Sequence, residues 1–241
     1  MYTERPSRVP GAVLWQRTVQ VAEPQRVLPD GCLDLIWSGG MLLVAGPDTT
    51  AHLSSAPLGT RFTGLRFAPG TGPAVVGVPA DELRDQRVPL AQLWPSARVR
   101  RLAEQLAGAS DPGAALESVV ASPPPPDRAT AAIVAALRAG ATVAATADAV
   151  GMSERQLHRR CLAAFGYGAK TLVRILRMNR ALELAHAGTP FAAVAARAGY
   201  ADQAHLARDV RALAGVPLGQ LIGQSGANSS TLLPSGSWIT A

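Results

Sequence analysis

The sequence predicts an α+β N-terminal domain followed by an all-α domain. Three observations indicate this division. Short apolar runs separated by Gly and Pro characterise the front half, stretches rich in Ala, Leu, Val and Arg characterise the back half, and a run of four prolines lies between them. Consecutive prolines cannot continue a helix and favour an extended, semi-rigid segment. With 241 residues, the chain is long enough for two domains that each bury a core.

The elements of the front half follow from local spacing. Apolar runs bounded by Gly, Pro and polar residues predict strands at residues 32–37, 41–45 and 62–67. The first two form a hairpin around Gly39-Gly40, and a polar stretch at 47–55 precedes the third. Helical spacing predicts helices at residues 81–87, 96–107 and 112–121, the second beginning at a Ser96 cap.

The proline run also predicts the domain boundaries. Residues 1–121 are assigned to a sensor or effector domain, residues 122–127 to a Pro-rich linker and residues 128–224 to the helical domain. The tail at residues 225–241 is rich in Ser, Gly and Thr, which predicts a flexible segment, or one that docks through Trp238.

The positive charge is concentrated in the helical half. Residues 128–224 contain 11 Arg and one Lys against five acidic residues, a net charge of +7, whereas the rest of the chain carries −1. A basic block favours nucleic acid or an anionic membrane surface. Neither a membrane-spanning run nor a secretory signal pattern is visible, and Cys32 and Cys161 are too far apart to suggest a disulfide framework. We therefore expect a cytoplasmic protein without a membrane partner.

A repeat within the helical half indicates function. Residues 153–166 match residues 202–215 after a shift of 49, with Leu157 on Leu206, Arg159 on Arg208 and Gly166 on Gly215. Each copy follows a short apolar helix, at 143–150 or 191–198, and a turn with a glycine. A helix, a glycine turn and a capped second helix form a helix-turn-helix motif, which here occurs twice.

The second helix of each copy has an exposed face suited to the major groove. In the first copy the face opposite the apolar stripe carries Arg155, His158 and Arg159, with Gln156 beside them. In the second it carries Ala204, Arg208 and Arg211, with Gln203 and His205 at the helix start. Arg pairs with guanine, Gln with adenine, and Ala contacts the thymine methyl group. These nine residues are the predicted DNA-binding set, although ordinary solvated arginines are the alternative.

These residues resemble the AraC/XylS family of bacterial transcription regulators. The resemblance covers residues 130–222 and includes Arg177-Met178, Ala181 and Leu184-Ala185 of the linking helix, and residues 199–203 of the second unit. It implies two helix-turn-helix motifs joined by a long helix, and base contacts from Arg155, His158, Arg159, Gln203, Ala204 and Arg208. Residues 28–37, 45–47 and 64–70 resemble, more weakly, a sensor-type domain found in some members.

The predicted function is that of a sequence-specific DNA-binding transcription regulator, with an activator role among the expectations. The partners are double-stranded DNA in two adjacent major grooves, with RNA polymerase and an unidentified small-molecule effector left open. No cofactor, metal site or enzymatic activity is predicted. Gly70-Thr71-Gly72 lacks the Lys-Ser/Thr of a phosphate loop, and His52, His158, His186 and His205 never pair at metal-ligand spacing.

Two alternatives remain open. Asp30 and Asp34 would suit a carboxylate pair, but no His or metal ligand accompanies them, so turn and edge roles are favoured. Cys32 would be the nucleophile of a DNA-targeted enzyme or repair protein, yet no neighbouring His or Lys is present to lower the pKa of its thiol. A partner-binding role of the helical domain would leave the paired arginine faces unexplained.

Overall fold

The front half is built on a six-stranded antiparallel sheet. The computed structural model describes residues 1–21, 23–120 and 127–224. The sheet order is β1-β2-β7-β4-β5-β8, and β3 pairs with β6 in a separate two-stranded sheet. The strands are β1 Tyr2–Pro6, β2 Ala12–Thr18, β3 Gln25–Val27, β4 Leu33–Ser38, β5 Met41–Ala45, β6 His52–Ser54, β7 Arg61–Phe67 and β8 Arg87–Pro89.

One face of the large sheet forms the core of the front half. Side chains alternate between faces along each strand, so directly paired residues share a face. Leu14 pairs with Leu65, Leu65 with Leu35, and Leu35 with Val44, and all four are buried. This apolar face packs in one cluster with residues of three helices, α1 Gly72–Val76, α2 Ser96–Gly108 and α3 Pro112–Val119.

The opposite face of the same sheet is polar and aromatic. It carries Trp15 on β2, Gly64 and Arg66 on β7, and Asp34 on β4, because Trp15 pairs with Gly64 and Asp34 pairs with Arg66. A Cβ atom at Gly64 would lie 2.3 Å from Cε2 of Trp15, so only glycine admits the indole there. The sheet is therefore covered by helices on one side and left available for polar chemistry on the other.

Glu117 of α3 ties the N-terminal segment to the sheet-covering helices. Arg5 donates to both carboxylate oxygens at 2.9 and 3.0 Å, the Ser7 hydroxyl donates at 2.8 Å, and the Arg8 backbone N–H donates at 2.9 Å. Burial alone would raise the pKa of Glu117, but these hydrogen bonds to the charged form lower it to about 2. The carboxylate is thus held ionised.

The predicted strands and their hairpin are confirmed, while other front-half elements differ. Gly39 and Gly40 have φ of 56° and 81°, as a two-residue hairpin turn requires. The predicted helix at 81–87 is wrong, because a short 3-10 turn, Ala80–Glu82, leads into β8, which pairs with β5. The predicted Ser96 cap is also wrong, since Pro95 occupies the N-cap position without a side-chain hydrogen bond.

The helical half confirms both helix-turn-helix units and the long helix between them. Residues of both units and of the linking helix pack into one core cluster. Leu28 of the front half belongs to this cluster as well. Residues 122–126 of the predicted linker at 122–127 and the whole predicted tail at 225–241 fall outside the described residues, whereas Asp127 is the N-cap of the first helix of this half. The domain boundaries stay a prediction. The helices are α4 Arg128–Arg138, α5 Val143–Ala149, α6 Glu154–Phe165, α7 Ala169–His186, α8 Phe191–Arg197, α9 Gln203–Ala214 and α10 Leu218–Gln224.

Candidate nucleic-acid interface

The second helix of each helix-turn-helix unit, α6 in the first and α9 in the second, is here called a reading helix. The first reading helix, α6, begins at a capping box. The Ser153 hydroxyl accepts from the Gln156 backbone N–H at 3.3 Å, and Oε1 of Gln156 accepts from the Ser153 N–H at 2.8 Å. The predicted inner face is confirmed, because Leu157, Cys161 and Phe165 are fully buried. Gln156 is exposed, but its amide oxygen is occupied by the cap, so it stabilises the start of the helix.

The outer face of α6 presents its arginines to solvent. Arg155 and Arg159 are exposed and have no hydrogen-bond partner among the residues that the structure describes. His158 is exposed too, but its ring lies against the backbone at Gly168, which follows the helix. Arg160, on the flank, forms an ion pair with Asp127, the N-cap of α4. The free cationic groups of this face are therefore the two outward arginines.

The second reading helix, α9, repeats this arrangement with different local contacts. Asp202 caps it, accepting from the His205 backbone N–H at 2.6 Å. His205 is half-buried, its ring edge-on to Tyr200 with centroids 5.2 Å apart, and its Nδ1 accepts from the Ala201 N–H at 3.5 Å. The imidazole is thereby held beside the turn. Exposed on the outer face are Gln203, Ala204, Arg208 and Arg211.

A buried ion pair fixes α9 to the linking helix α7. Asp209 is 7% exposed, and its Oδ1 accepts from Arg174 Nε at 2.7 Å, with Arg177 at 3.8 Å from Oδ2. Arg177 also lies over the ring of Tyr200, 4.9 Å from its centroid. Asp209 was not among the predicted site residues, although an acidic residue three positions after Leu206, on the apolar stripe, indicates a buried partner. This pair sets the orientation of the outer face of α9.

Both reading helices end on arginines from the front half. Arg84 Nη1 donates to the Gly166 carbonyl oxygen at 3.1 Å, at the end of α6. Arg26 Nη1 donates to the Ala214 carbonyl oxygen at 2.8 Å, at the end of α9. The last carbonyls of a helix lack intrahelical donors and carry partial negative charge, so a cationic donor stabilises them. The front half therefore holds the two units at nearly equivalent positions of the repeat.

Tight packing reinforces these caps. The Ala51 N–H donates to the Leu213 carbonyl oxygen at 2.7 Å, which joins the loop before β6 to α9. Gly70, after β7, lies so close to the helical half that a Cβ atom there would be 2.3 Å from Thr130 Cγ2 and 2.8 Å from Phe165 Cε1. The contacts between the halves thus reach α4, α6 and α9.

A cavity of about 220 Å³ lies on the polar face of the large sheet and is bordered by β3 and β6. Trp15, Phe62 and Ile36 line its apolar part, and Arg66 and Asp34 line its polar end. Leu28 lines it as well while belonging to the core of the helical half. Leu28 therefore joins the wall of the cavity to the core of the helical half.

Asp30 and Cys32 line both this cavity and an open groove of about 710 Å³ against α4, α7 and α8. Asp30 and Asp34 flank Arg66, whose Nε lies 3.5 and 3.3 Å from their carboxylates. They thus serve as counterions, beyond the turn and edge roles expected. Burial and the neighbouring Asp30 raise the pKa of the Cys32 thiol well above its ordinary value, which disfavours the thiolate that a nucleophile requires.

Neither a metal site nor a membrane-spanning helix is found in the described ranges. Within 1–21, 23–120 and 127–224, no three His, Cys, Asp or Glu side chains are grouped so that they could hold a metal ion. In the same ranges, none of the helices combines the length and apolar character needed to cross a membrane.

Comparisons with known proteins agree with this architecture. No curated protein matches the chain in sequence. Among solved structures, it is similar to a variant of apo ToxT from Vibrio cholerae strain SCE256, with a TM-score of 0.50, 9% identity and coverage of 90% of this chain and 99% of that chain. A 1.65 Å structure of ToxT from Vibrio cholerae has a TM-score of 0.49 and 8% identity, with coverage of 92% of this chain and 98% of that chain. Unsaturated fatty acid bound wild-type ToxT has a TM-score of 0.46 and 9% identity, with coverage of 88% of this chain and 94% of that chain.

Family models match each half separately. Residues 12–89 match a domain of unknown function, DUF6597, which overlaps the part of the front half that resembles a sensor-type domain. Residues 146–224 match a helix-turn-helix domain, and this range contains both reading helices and α7. The apo ToxT variant shares the fold over nearly its whole length. Residues 146–224 therefore match a helix-turn-helix domain, as the sequence predicts for this half of the chain.

Proposed function

We propose that the chain is a cytoplasmic, sequence-specific transcription regulator that reads two adjacent major grooves and is controlled by a small molecule in the cavity of its front half. The observation that carries the DNA part is the pair of exposed arginine faces on α6 and α9. Both helices are fixed to one helix, α7, by a common core. Two rigidly linked helices of this kind suit successive major grooves, about 34 Å apart.

Within the predicted set, the local contacts suggest different roles. Arg159 and Arg208 occupy matching outward positions and are free to reach base edges, as are Gln203 and Ala204. Gln156 and His205 are engaged at the helix starts, where they position the backbone. His158 rests beside the turn after α6, so this residue contacts DNA only at the edge of the interface.

The test replaces the two outward arginines. Arg159→Ala and Arg208→Ala should each cost about 1 to 3 kcal/mol of binding free energy on the preferred site and relax sequence preference at one base position. Because the two sites are far apart, the losses should be nearly additive in the double mutant. The measurement is titration against a randomised operator library, with Arg101→Ala, an exposed arginine of α2, as the control for lost charge.

A second measurement separates base contacts from phosphate contacts. Loss of one phosphate contact weakens all sequences alike and lowers the salt slope by about 0.9. If both variants lose affinity uniformly over the library, these arginines hold the DNA backbone and the assignment of the reading face is wrong. Inserting five base pairs between the half-sites should abolish simultaneous engagement, since half a helical turn separates the grooves.

The effector part rests on the path from the cavity to the helical half. Arg26 lies on β3, beside the cavity, and caps α9, while Leu28 lines the cavity and enters the helical core. A bound molecule that favours one arrangement must change DNA affinity, and DNA must change the affinity for that molecule by the same factor. A tight ligand without effect on operator binding would contradict this part. In vitro transcription with RNA polymerase would establish whether the chain activates.

A further inference from the structure

The polar end of the 220 Å³ cavity has donors without acceptors. Arg66 lies in the middle of the sheet, and among the described residues neither its Nε nor its Nη1 has a hydrogen-bond partner, although both atoms are buried. Its Nε faces Asp30 and Asp34 at 3.5 and 3.3 Å, at the limit of a hydrogen bond. A buried N–H without an acceptor costs free energy. An oxygen acceptor supplied by a bound molecule would remove this cost.

The same end of the cavity has no excess positive charge. Arg66 is flanked by two carboxylates, and Arg87 is held by Asp48 through two hydrogen bonds of 2.8 and 2.6 Å. An anionic group placed here would meet acidic side chains on both sides of Arg66. A cationic group would meet Arg66 itself and would supply no acceptor. An uncharged group that both accepts and donates hydrogen bonds fits this arrangement best.

The floor next to the polar end is apolar. Gly64 lies two residues from Arg66 on the same face of the sheet. Its neighbours across the strands on that face are Trp15, Ile36 and Leu43. The Trp15 indole is fixed there, because its Nε1 donates to Asp34 at 2.6 Å and its ring packs on Gly64. A planar apolar body on this floor would place its polar group at Arg66 and Asp34.

We infer that the cavity binds a small uncharged molecule that carries an amide-like pair of oxygen acceptor and N–H donor on an apolar ring. Its oxygen accepts from Arg66, and its N–H donates to Asp34 or Asp30. This inference rests on the proposed function in placing the effector in this cavity. Burial raises the pKa of Asp30, in keeping with a site that disfavours additional charge.

The experiment compares three probes of one size and shape with the full chain. Benzamide, benzoate and benzylamine share a ring and one polar substituent but are neutral, anionic and cationic. Binding is measured by thermal shift and calorimetric titration at millimolar concentrations, which suit ligands of this size. Benzamide should stabilise the protein and bind at least about tenfold more tightly than either charged probe.

Variants locate the binding. Ile36→Phe fills the apolar floor and should abolish benzamide binding, whereas Leu58→Phe, at an exposed site away from the cavity, should leave it unchanged. Arg66→Met should remove the preference for benzamide over toluene. If Arg66→Met does not fold, Ile36→Phe still decides the location.

Other outcomes would overturn the inference. Tighter binding of benzoate would indicate an anion site, for which Arg17 over the Phe62 ring, about 13 Å along the strand, is the available cation. Tighter binding of benzylamine, equal loss in the Leu58→Phe control, or no binding of any probe would each refute it. DNA binding by the same preparation is measured separately, so failure of the ligand class is distinguishable from failure of the DNA-reading function.

Discussion

Replacing Gly70 by alanine tests whether the two halves are packed as one rigid body. Gly70 has φ of 85°, and a Cβ atom there would lie 2.3 Å from Thr130 Cγ2 and 2.8 Å from Phe165 Cε1. Both atoms belong to the helical half, so the added methyl group acts as a wedge between the halves. Phe165 is fully buried and has little freedom to move away.

The magnitude has two parts. A left-handed backbone conformation costs an alanine about 1 to 2 kcal/mol. Overpacking of a tight contact costs about 1 to 3 kcal/mol more. Gly77→Ala is the matched control, because Gly77 has φ of 81° but nothing within 4 Å of an added Cβ atom. The difference between the two variants therefore isolates the wedge, at about 1 to 3 kcal/mol or roughly 2 to 12 °C in Tm.

The assay is thermal unfolding of both variants by calorimetry, followed by titration with operator DNA. Gly70→Ala should unfold at the lower temperature and also change DNA affinity, because the wedge disturbs the end of α6. Gly77→Ala should leave DNA affinity unchanged. Equal Tm values for the two variants would refute the tight packing between the halves, and unchanged DNA affinity in Gly70→Ala would refute its influence on the reading helix.

Two further predictions concern buried carboxylates. Asp209→Asn removes the ion pair with Arg174 and should lower the free energy of unfolding by about 1 to 3 kcal/mol in urea titrations, while the exposed control Asp148→Asn changes it by less than about 0.5 kcal/mol. Equal effects would show that the pair does not anchor α9. The pKa of Glu117 lies at about 2 in the folded chain against an ordinary value of 4.5, so its stabilisation is complete above about pH 4.5 and is lost as pH falls through about 2. In Glu117→Gln the free energy of unfolding should therefore fall less steeply between about pH 4.5 and about pH 2 than in the unchanged protein. The same reduction in the exposed control Glu104→Gln would show that a different carboxylate is responsible.

Local signals explain why the helical half could be predicted. The caps Ser153 and Asp202 and the glycines that end each reading helix lie within a few residues of the elements they define. The helical period then separates inner from outer faces without further information. The buried ion pair of Asp209 could also have been predicted from the sequence, because this charged residue lies on the apolar stripe of its helix.

Much of the front half could not be predicted, because its structure depends on contacts between residues that are distant in sequence. Strand β2 has four consecutive buried residues, Ala12 to Trp15, so the alternation of buried and exposed residues that reveals a strand is absent there. The cluster of Arg66 with Asp30 and Asp34 joins separate strands and loops. Likewise, Arg26 and Ala214 are 188 positions apart, and nothing near either residue indicates the other.

Leu28 limits how far the two halves can be exchanged as modules. It precedes the proline run by more than 90 positions, yet its side chain completes the core of the helical half. A chimera that joins this helical half to an unrelated front half would leave a gap where Leu28 packs and an uncapped carbonyl where Arg26 donates. Grafting residues 25–32 together with the helical half would restore both contacts. In this protein the residues that must be transferred together to keep the helical half intact are thus discontinuous in sequence.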